Sequence, residues 1–207
     1  MDFLQGFRTL LLDYLFPRTD PPIDISELPE STYAGDDTIA LFEYAHARVR
    51  LAVWQVKYRG NREMAGKFGV ILYDTLMAEL EENNLFEKYG KAMLLPIPAG
   101  ASRIIERGWN QAELLALSVS KCDGAGRFEF SPHILKKVRH TESQISTSSK
   151  AERLENLKDS MAASEAVRGR LVIVVDDVLT TGATFAEARR ALKEAGAKKI
   201  ICIAVAH

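Results

Sequence analysis

Two adjacent carboxylates followed by a run of small hydroxylated residues are the part of this chain best equipped for chemistry. Residues 172–184 read Val-Ile-Val-Val-Asp-Asp-Val-Leu-Thr-Thr-Gly-Ala-Thr. A helix N-terminus presents unpaired backbone N–H groups and about +0.5 of an elementary charge, so a phosphate binds there readily. Gly182 has no Cβ and lets the backbone approach the anion, with Ala183 beside it. Thr180, Thr181 and Thr184 can donate hydroxyl hydrogen bonds to phosphate oxygens. Bonds to a charged partner contribute about 1.5–3 kcal/mol each. Ionised carboxylates would repel that phosphate, so Asp176 and Asp177 need another task. They are acceptors suited to the 2- and 3-hydroxyls of a ribose a few ångströms away. The combination fits a ribose 5-phosphate.

Such a site must be held by regular elements. The apolar run Leu171–Val175 has the length and β-branching of a buried parallel strand. After the turn, Ala188, Ala191, Leu192 and Ala195 share one face of a helix. A second strand is expected over Ala92–Pro98, followed by a loop through Gly100, Gly108 and Asn110 and a helix carrying Leu114, Leu115, Leu117 and Val119. That loop holds Arg103 and Arg107, whose planar guanidinium forks suit the oxygens of a second polyanion. Four residues apart, they share a face if the segment is helical. Residues 135–144 pass from a strand into a polar stretch, and low apolar content makes 139–149 a mobile loop able to close over a site.

The body of the chain begins near Thr38, with a short strand at Ile39, Leu41 and Phe42. Val49, Ala52, Val53 and Val56 then follow helical spacing into Lys57-Tyr58-Arg59-Gly60. A longer helix spans Arg62 to Glu82, with Phe68, Ile71, Leu72, Leu76 and Leu80 as its stripe. Gly60 to Lys67 is superficially similar to a nucleotide-binding P-loop. Its glycines are one residue too far apart, Phe68 replaces the magnesium-binding Ser or Thr, and no strand feeds it. Upstream, Phe3, Phe7, Leu10, Leu11, Tyr14 and Leu15 recur at helical spacing, and residues 17–37 read as an extended linker. The expected division is a helix and linker over 1–38 and one domain over 39–207.

Composition excludes several classes. The chain has 207 residues and a net charge of −1, so no global basic field directs it to nucleic acid. No secretory signal and no uninterrupted apolar stretch long enough to span a membrane is visible. Cys122 and Cys202 form no metal or redox pattern, which makes a reducing cytoplasm the default. His46, His133, His140 and His207 are scattered and read as surface or packing residues.

Residues 172–184 closely resemble the phosphoribosyl pyrophosphate (PRPP) signature of the type I phosphoribosyltransferases. The likeness widens over about residues 39–207. Lys57-Tyr58-Arg59-Gly60, then Arg107-Gly108-Trp109-Asn110-Gln111-Ala112, then Arg139 with Ser143, Gln144, Arg153 and Asn156, then the PRPP motif, resemble the ComF family in content and order. Those proteins are linked to uptake of transforming DNA. They often carry an N-terminal zinc ribbon, whereas residues 17–37 hold no cysteine, and they commonly have Thr where this chain has Ser143.

The resemblance implies an α/β fold of the type I phosphoribosyltransferase (Rossmann-like) kind: a mainly parallel sheet flanked by helices, with ligands at the carboxyl ends of its strands. Strands are expected at Ala92–Pro98, near His133–Val138, at Leu171–Val175 and at Lys199–Ala206. It also implies transfer of ribose 5-phosphate from PRPP with release of pyrophosphate. Asp176 and Asp177 would be the catalytic acids, and Thr180, Thr181, Gly182, Ala183 and Thr184 the 5-phosphate site. Arg103 and Arg107 would bind pyrophosphate, and Arg139, Ser143 and Gln144 would lie on the flexible loop. Magnesium would be held mainly by the substrate, with no protein side chain as its ligand. Two alternatives stand beside this one. The first is a binding module that senses PRPP or a nucleotide, or assists DNA-uptake proteins. In it Lys57, Arg59, Lys136, Lys137 and Arg139 offer a local basic surface to single-stranded DNA. The second is a nucleobase salvage enzyme, which would need a base-reading motif that the chain does not display. The acceptor and the oligomeric state are not legible.

Overall fold

The computed structural model describes residues 23–35, 37–138 and 158–207. The expected helix over 2–16 and the loop residues Arg139, Ser143, Gln144, Arg153 and Asn156 lie outside the described residues. In chain order the elements are β1 (Ala34–Gly35), β2 (Thr38–Phe42), α1 (Ala47–Arg59), α2 (Arg62–Glu82), α3 (Leu85–Tyr89), β3 (Ala92–Pro96), α4 (Ala101–Arg107) and α5 (Gln111–Cys122). They continue with β4 (Phe128–Phe130), β5 (Leu135–Lys137), β6 (Met161–Ala163), β7 (Leu171–Val178), α6 (Ala183–Glu194) and β8 (Lys199–Ala206). The main sheet runs β1-β2-β8-β7-β3-β4. Only β1 is antiparallel to its neighbour; the other pairings are parallel.

Parallel strands covered on both faces must be apolar throughout, and β7 meets that demand. It is buried from Leu171 to Asp177. Its pleat sends Leu171, Ile173 and Val175 into a core with α1, α2 and α5. Val172 and Val174 go the other way, into a core with α6. Cys202 on β8 lies in that second core, and burial pushes its thiol up to about 12. It is therefore a packing residue and not a nucleophile.

Helix α2 forms the largest apolar stripe, with Phe68, Leu72, Leu76 and Leu80 fully buried. Each such side chain stabilises by about 1.5–3 kcal/mol. Asn61 starts it, its Oδ1 accepting from Met64 N at 3.0 Å. Gly69 lets α2 approach α5: a Cβ there would lie 2.5 Å from Ser118 Cβ and 2.9 Å from the Ser118 carbonyl carbon. Gly69→Ala raises helix propensity by about 1 kcal/mol, but overpacking against backbone costs about 1–3 kcal/mol. The clash outweighs the gain in propensity. A melting temperature lowered by a few degrees is expected in thermal denaturation, and an unchanged one would show that the two helices part freely.

Two expectations meet corrections. The strand expected near His133–Val138 is β5, and it is not in the main sheet. It pairs antiparallel with β6 in a separate ribbon, Lys137 opposite Met161. The main-sheet strand in that part of the chain is β4, an edge strand beside β3. At three residues β4 is too short to show a period, and its Glu129 is tied to Arg170 at 2.8 Å. The described part of the expected linker, residues 23–35, lies against the body. Ile23 and Leu28 are buried in the core beside Phe42 and Val49. Ser31 N donates to Leu41 O at 2.8 Å, and Glu43 N to Pro29 O at 3.0 Å. Single apolar residues in a proline-rich stretch carry no period by which to find them. Among the described residues, no helix is long and apolar enough to cross a membrane.

Candidate functional site

Neighbouring strands β3 and β7 run side by side, Pro96 opposite Val175, and Ile97 N donates to Val175 O at 2.9 Å. Their outgoing loops therefore start from one place, at the carboxyl edge of the sheet. One loop leads into α4 with Arg103 and Arg107. The other carries Thr180, Thr181 and Gly182 into α6.

The acids close β7. Asp176 and Asp177 are almost fully buried, at 8% and 5% exposure. Asp176 Oδ1 accepts from Asp177 N at 2.8 Å. Burial, then the neighbouring charge of Asp177, pushes the Asp176 carboxyl well above the usual carboxylate range. Asp177 continues the parity of Ile173 and Val175 and so faces the α1 side. Lys57 Nζ meets its Oδ2 there at 3.1 Å, an ion pair without the alignment of a hydrogen bond.

The turn that follows has the geometry an anion requires. Gly182 sits at φ 77°, the left-handed region that favours glycine, and as the N-cap of α6 has no side chain of its own to accept from the helix. Thr181 Oγ1 accepts from Ala183 N at 3.4 Å. Thr180 is exposed, Thr181 and Thr184 are half-buried, and Ala183 is buried.

On the other loop, the segment around the arginines is helical, and Gly108 at φ 84° ends it. Arg107 lies over the Tyr58 ring of α1, 4.5 Å from its centroid. Its Nε and Nη1 are buried and have no hydrogen-bond partner. A guanidinium held on an aromatic face with buried, unused N–H groups is prepared for an anion. Arg103, one turn earlier, is exposed.

The two blocks around residues 57–60 and 107–111 prove to be one structure. The Trp109 indole N–H donates to Val56 O at 3.2 Å, satisfying a carbonyl in the last turn of α1. Gly60, at φ 60°, ends that helix, and a Cβ there would come within 3.0 Å of the Trp109 ring. Asn110 caps α5, with Oδ1 accepting from Ala112 N at 3.1 Å, and its Nδ2 donates to Ile97 O at 2.9 Å. That pair of bonds closes the arginine loop onto the end of β3.

With this geometry in hand, the family comparison is decisive. The model of the phosphoribosyl transferase domain matches residues 74–207, which include β3, β7, α6 and both loops. The chain belongs to the phosphoribosyl transferase domain family. It is also similar to competence proteins. It is 34% identical over 110 residues to Competence protein F of Haemophilus influenzae, covering 52% of this chain and 46% of that protein. It is 31% identical over 140 residues to Competence protein ComFC of Bacillus subtilis, covering 68% and 51%. With DNA utilization protein YhgH of Salmonella typhimurium it shares 28% over 151 residues, covering 72% and 63%. The chain thus spans about half to under two thirds of the length of these relatives.

Several residues of the candidate site lie in blocks that carry the resemblance, but their contacts are not legible in sequence. Lys57, expected on a local basic surface, is paired with Asp177, and Lys137, expected on the same surface, is half-buried. Tyr58, Trp109 and Asn110 act by positioning Arg107 and its loop. Lys57 and Tyr58 even lie before the matched residues 74–207. Beside the resemblance, the physical signal for Lys57 is electrostatic: two adjacent buried acids need a cation from somewhere.

The β5–β6 ribbon is anchored to the helix that bears the threonine turn. Met161 N donates to Glu187 Oε1 at 3.0 Å, and Arg190 Nη2 donates both to Met161 O at 2.9 Å and to Glu187 Oε1 at 2.8 Å. Burial opposes the Glu187 charge, but these donors hold its carboxyl below the usual range. A separate recess of about 590 Å³ lies between Leu80, Phe86, Lys91 and Arg127. It sits where β3 and β4 begin, at the end of the sheet opposite the site.

Proposed function

We propose that this chain binds PRPP and transfers its ribose 5-phosphate to an acceptor, releasing pyrophosphate. One observation carries the reading. Buried, adjacent Asp176 and Asp177 lead directly into a threonine-glycine turn at a helix start, and the loop leaving the neighbouring strand β3 carries Arg107, whose Nε and Nη1 have no hydrogen-bond partner. The turn, through Thr180 to Thr184, would hold the 5-phosphate. Asp176 and Asp177 would accept from the ribose hydroxyls and favour positive charge developing at ribose C1. Arg103 and Arg107 would stabilise the departing pyrophosphate as its charge builds. Positioning and electrostatics suffice, and no covalent nucleophile is required.

Magnesium fits this site. Asp177 Oδ2 is a buried carboxylate oxygen without a hydrogen bond, which an ion held mainly by the substrate would share with the Lys57 ammonium 3.1 Å away, and Asp176 lies beside it. Both would face the ion carried in by the substrate, which when bound supplies neutralisation of leaving-group charge. Similarity to competence and DNA utilization proteins supports a role linked to competence or the use of DNA.

A second reading, a binding module, has its own observation. Exposed Trp54 and Tyr58 lie 5.9 Å apart on α1, with Arg59 over the Trp54 ring and Arg107 over the Tyr58 ring. Aromatic faces alternating with arginine suit stacked bases of single-stranded nucleic acid. Calorimetry with magnesium and PRPP, together with pyrophosphate release across a panel of bases, separates the two. Saturable binding with release is expected. Binding without release in any base, together with quenching of tryptophan fluorescence by oligonucleotide, would move the assignment to the module. No binding of PRPP would remove the proposal.

A further inference from the structure

A fourth cation stands at the site besides Lys57, Arg103 and Arg107. Lys137 closes β5 and is half-buried, its ammonium 4.0 Å from the point a Cβ at Gly100 would occupy. Gly100 opens α4, so this lysine reaches from the ribbon to the head of the arginine loop. Among the described residues it makes no hydrogen bond and no ion pair. Arg103 is the charged group that acts on it, and that interaction is repulsive. Among the described residues, the carboxylates of the elements packed against the ribbon are committed elsewhere. Glu187, on the helix packed against the ribbon, is bound to Arg190 and Met161 N, and Asp159 pairs with Arg190 at 3.4 Å. Lys136, its neighbour on β5, is exposed. A half-buried cation that feels the charge of Arg103 and has no carboxylate partner among the described residues carries an unfavourable interaction, which a bound anion relieves.

We propose that Lys137 is a further ligand for a diphosphate group, holding it together with Arg103 at the head of the arginine loop. The group is the pyrophosphate end of PRPP or the free pyrophosphate product. This inference rests on the function proposed above and adds a residue from a different sheet to its leaving-group site. Burial, and then Arg103, lowers the pKa of the Lys137 ammonium in the ligand-free chain. A bound anion restores it, so binding takes up a proton in the alkaline range.

The test is calorimetry of the full chain with inorganic pyrophosphate, PRPP and ribose 5-phosphate, each in two buffers of different ionisation enthalpy. Lys137→Met is expected to weaken pyrophosphate and PRPP about ten- to hundred-fold, the worth of one charge-assisted bond, and to leave ribose 5-phosphate unchanged. Wild type should take up more protons than Lys137→Met on binding pyrophosphate at alkaline pH. Lys137→Arg, whose charge does not titrate, should retain affinity within about tenfold and lose the uptake. Unaltered pyrophosphate affinity in Lys137→Met overturns this inference and leaves the parent proposal standing. No binding by wild type overturns both. Where Lys137→Met does not fold, the comparison of wild type with Lys137→Arg decides: equal net proton uptake on binding pyrophosphate, whose own titration is common to both, means Lys137 does not meet the anion.

Discussion

Replacing Asp176 and Asp177 together with asparagine is expected to weaken binding of PRPP with magnesium at least about a hundred-fold. Hydrogen bonds to charged groups contribute about 1.5–3 kcal/mol each, and two of them acting on the ribose hydroxyls reach that factor at the lower bound. Titration calorimetry reads it directly, and wild-type affinity in the double variant would remove the acids from the site. The single change Asp176→Asn separates function from stability. The Asp176 pKa in the folded chain lies above its ordinary 3.8, through burial first and the Asp177 charge second. Between those values the folded state holds a proton that the unfolded chain has lost. Stability therefore falls as pH rises through that window, and the loss is complete above it. Asn at this position removes the loss. The variant should melt higher than wild type above the window, with the gap closing as pH approaches 3.8, while binding PRPP more weakly. A residue that costs stability at the entrance to the threonine-glycine turn is what the proposed ligand site would require.

Lys57→Met is expected to be the most destabilising of the site substitutions. Removing one partner of a buried ion pair leaves the other charge uncompensated, at a cost of about 3–5 kcal/mol. The Asp177 side chain is 7% exposed and that of Lys57 25%, so the lower end applies. Denaturant unfolding measures the loss, and adding Asp177→Asn should restore most of it, because the stranded charge is gone. That cycle isolates the pair. If Lys57→Met unfolds at the wild-type denaturant concentration, water solvates Asp177 and the site is more open than its geometry implies.

The legible parts of this molecule share one property: their signals are local. The strand Leu171–Val175 is an unbroken β-branched run, and the structure extends it only to Val178. Helix α2 is legible from Arg62 to Glu82 because its apolar stripe repeats for many turns, and Asn61 starts it. The helix through Arg103 and Arg107 is legible only as a condition, since all but one of its residues are exposed and it has no apolar face. Strand β4 is too short to show itself. Strand β5 shows itself as a strand but not its sheet, because three apolar-to-basic residues do not say which partner they pair with.

Sequence alone determined the residue chemistry of the turn, the acids that precede it and the strand that carries them, because strand, turn and helix start are consecutive and their physics is short-ranged. Tertiary structure decided which charges meet. It put Lys57 against Asp177, Tyr58 under Arg107, Trp109 over Gly60 and Lys137 beside Gly100. Those partners are separated by tens of residues, and electrostatic and packing energies depend on distance in space, which no spacing along the chain encodes.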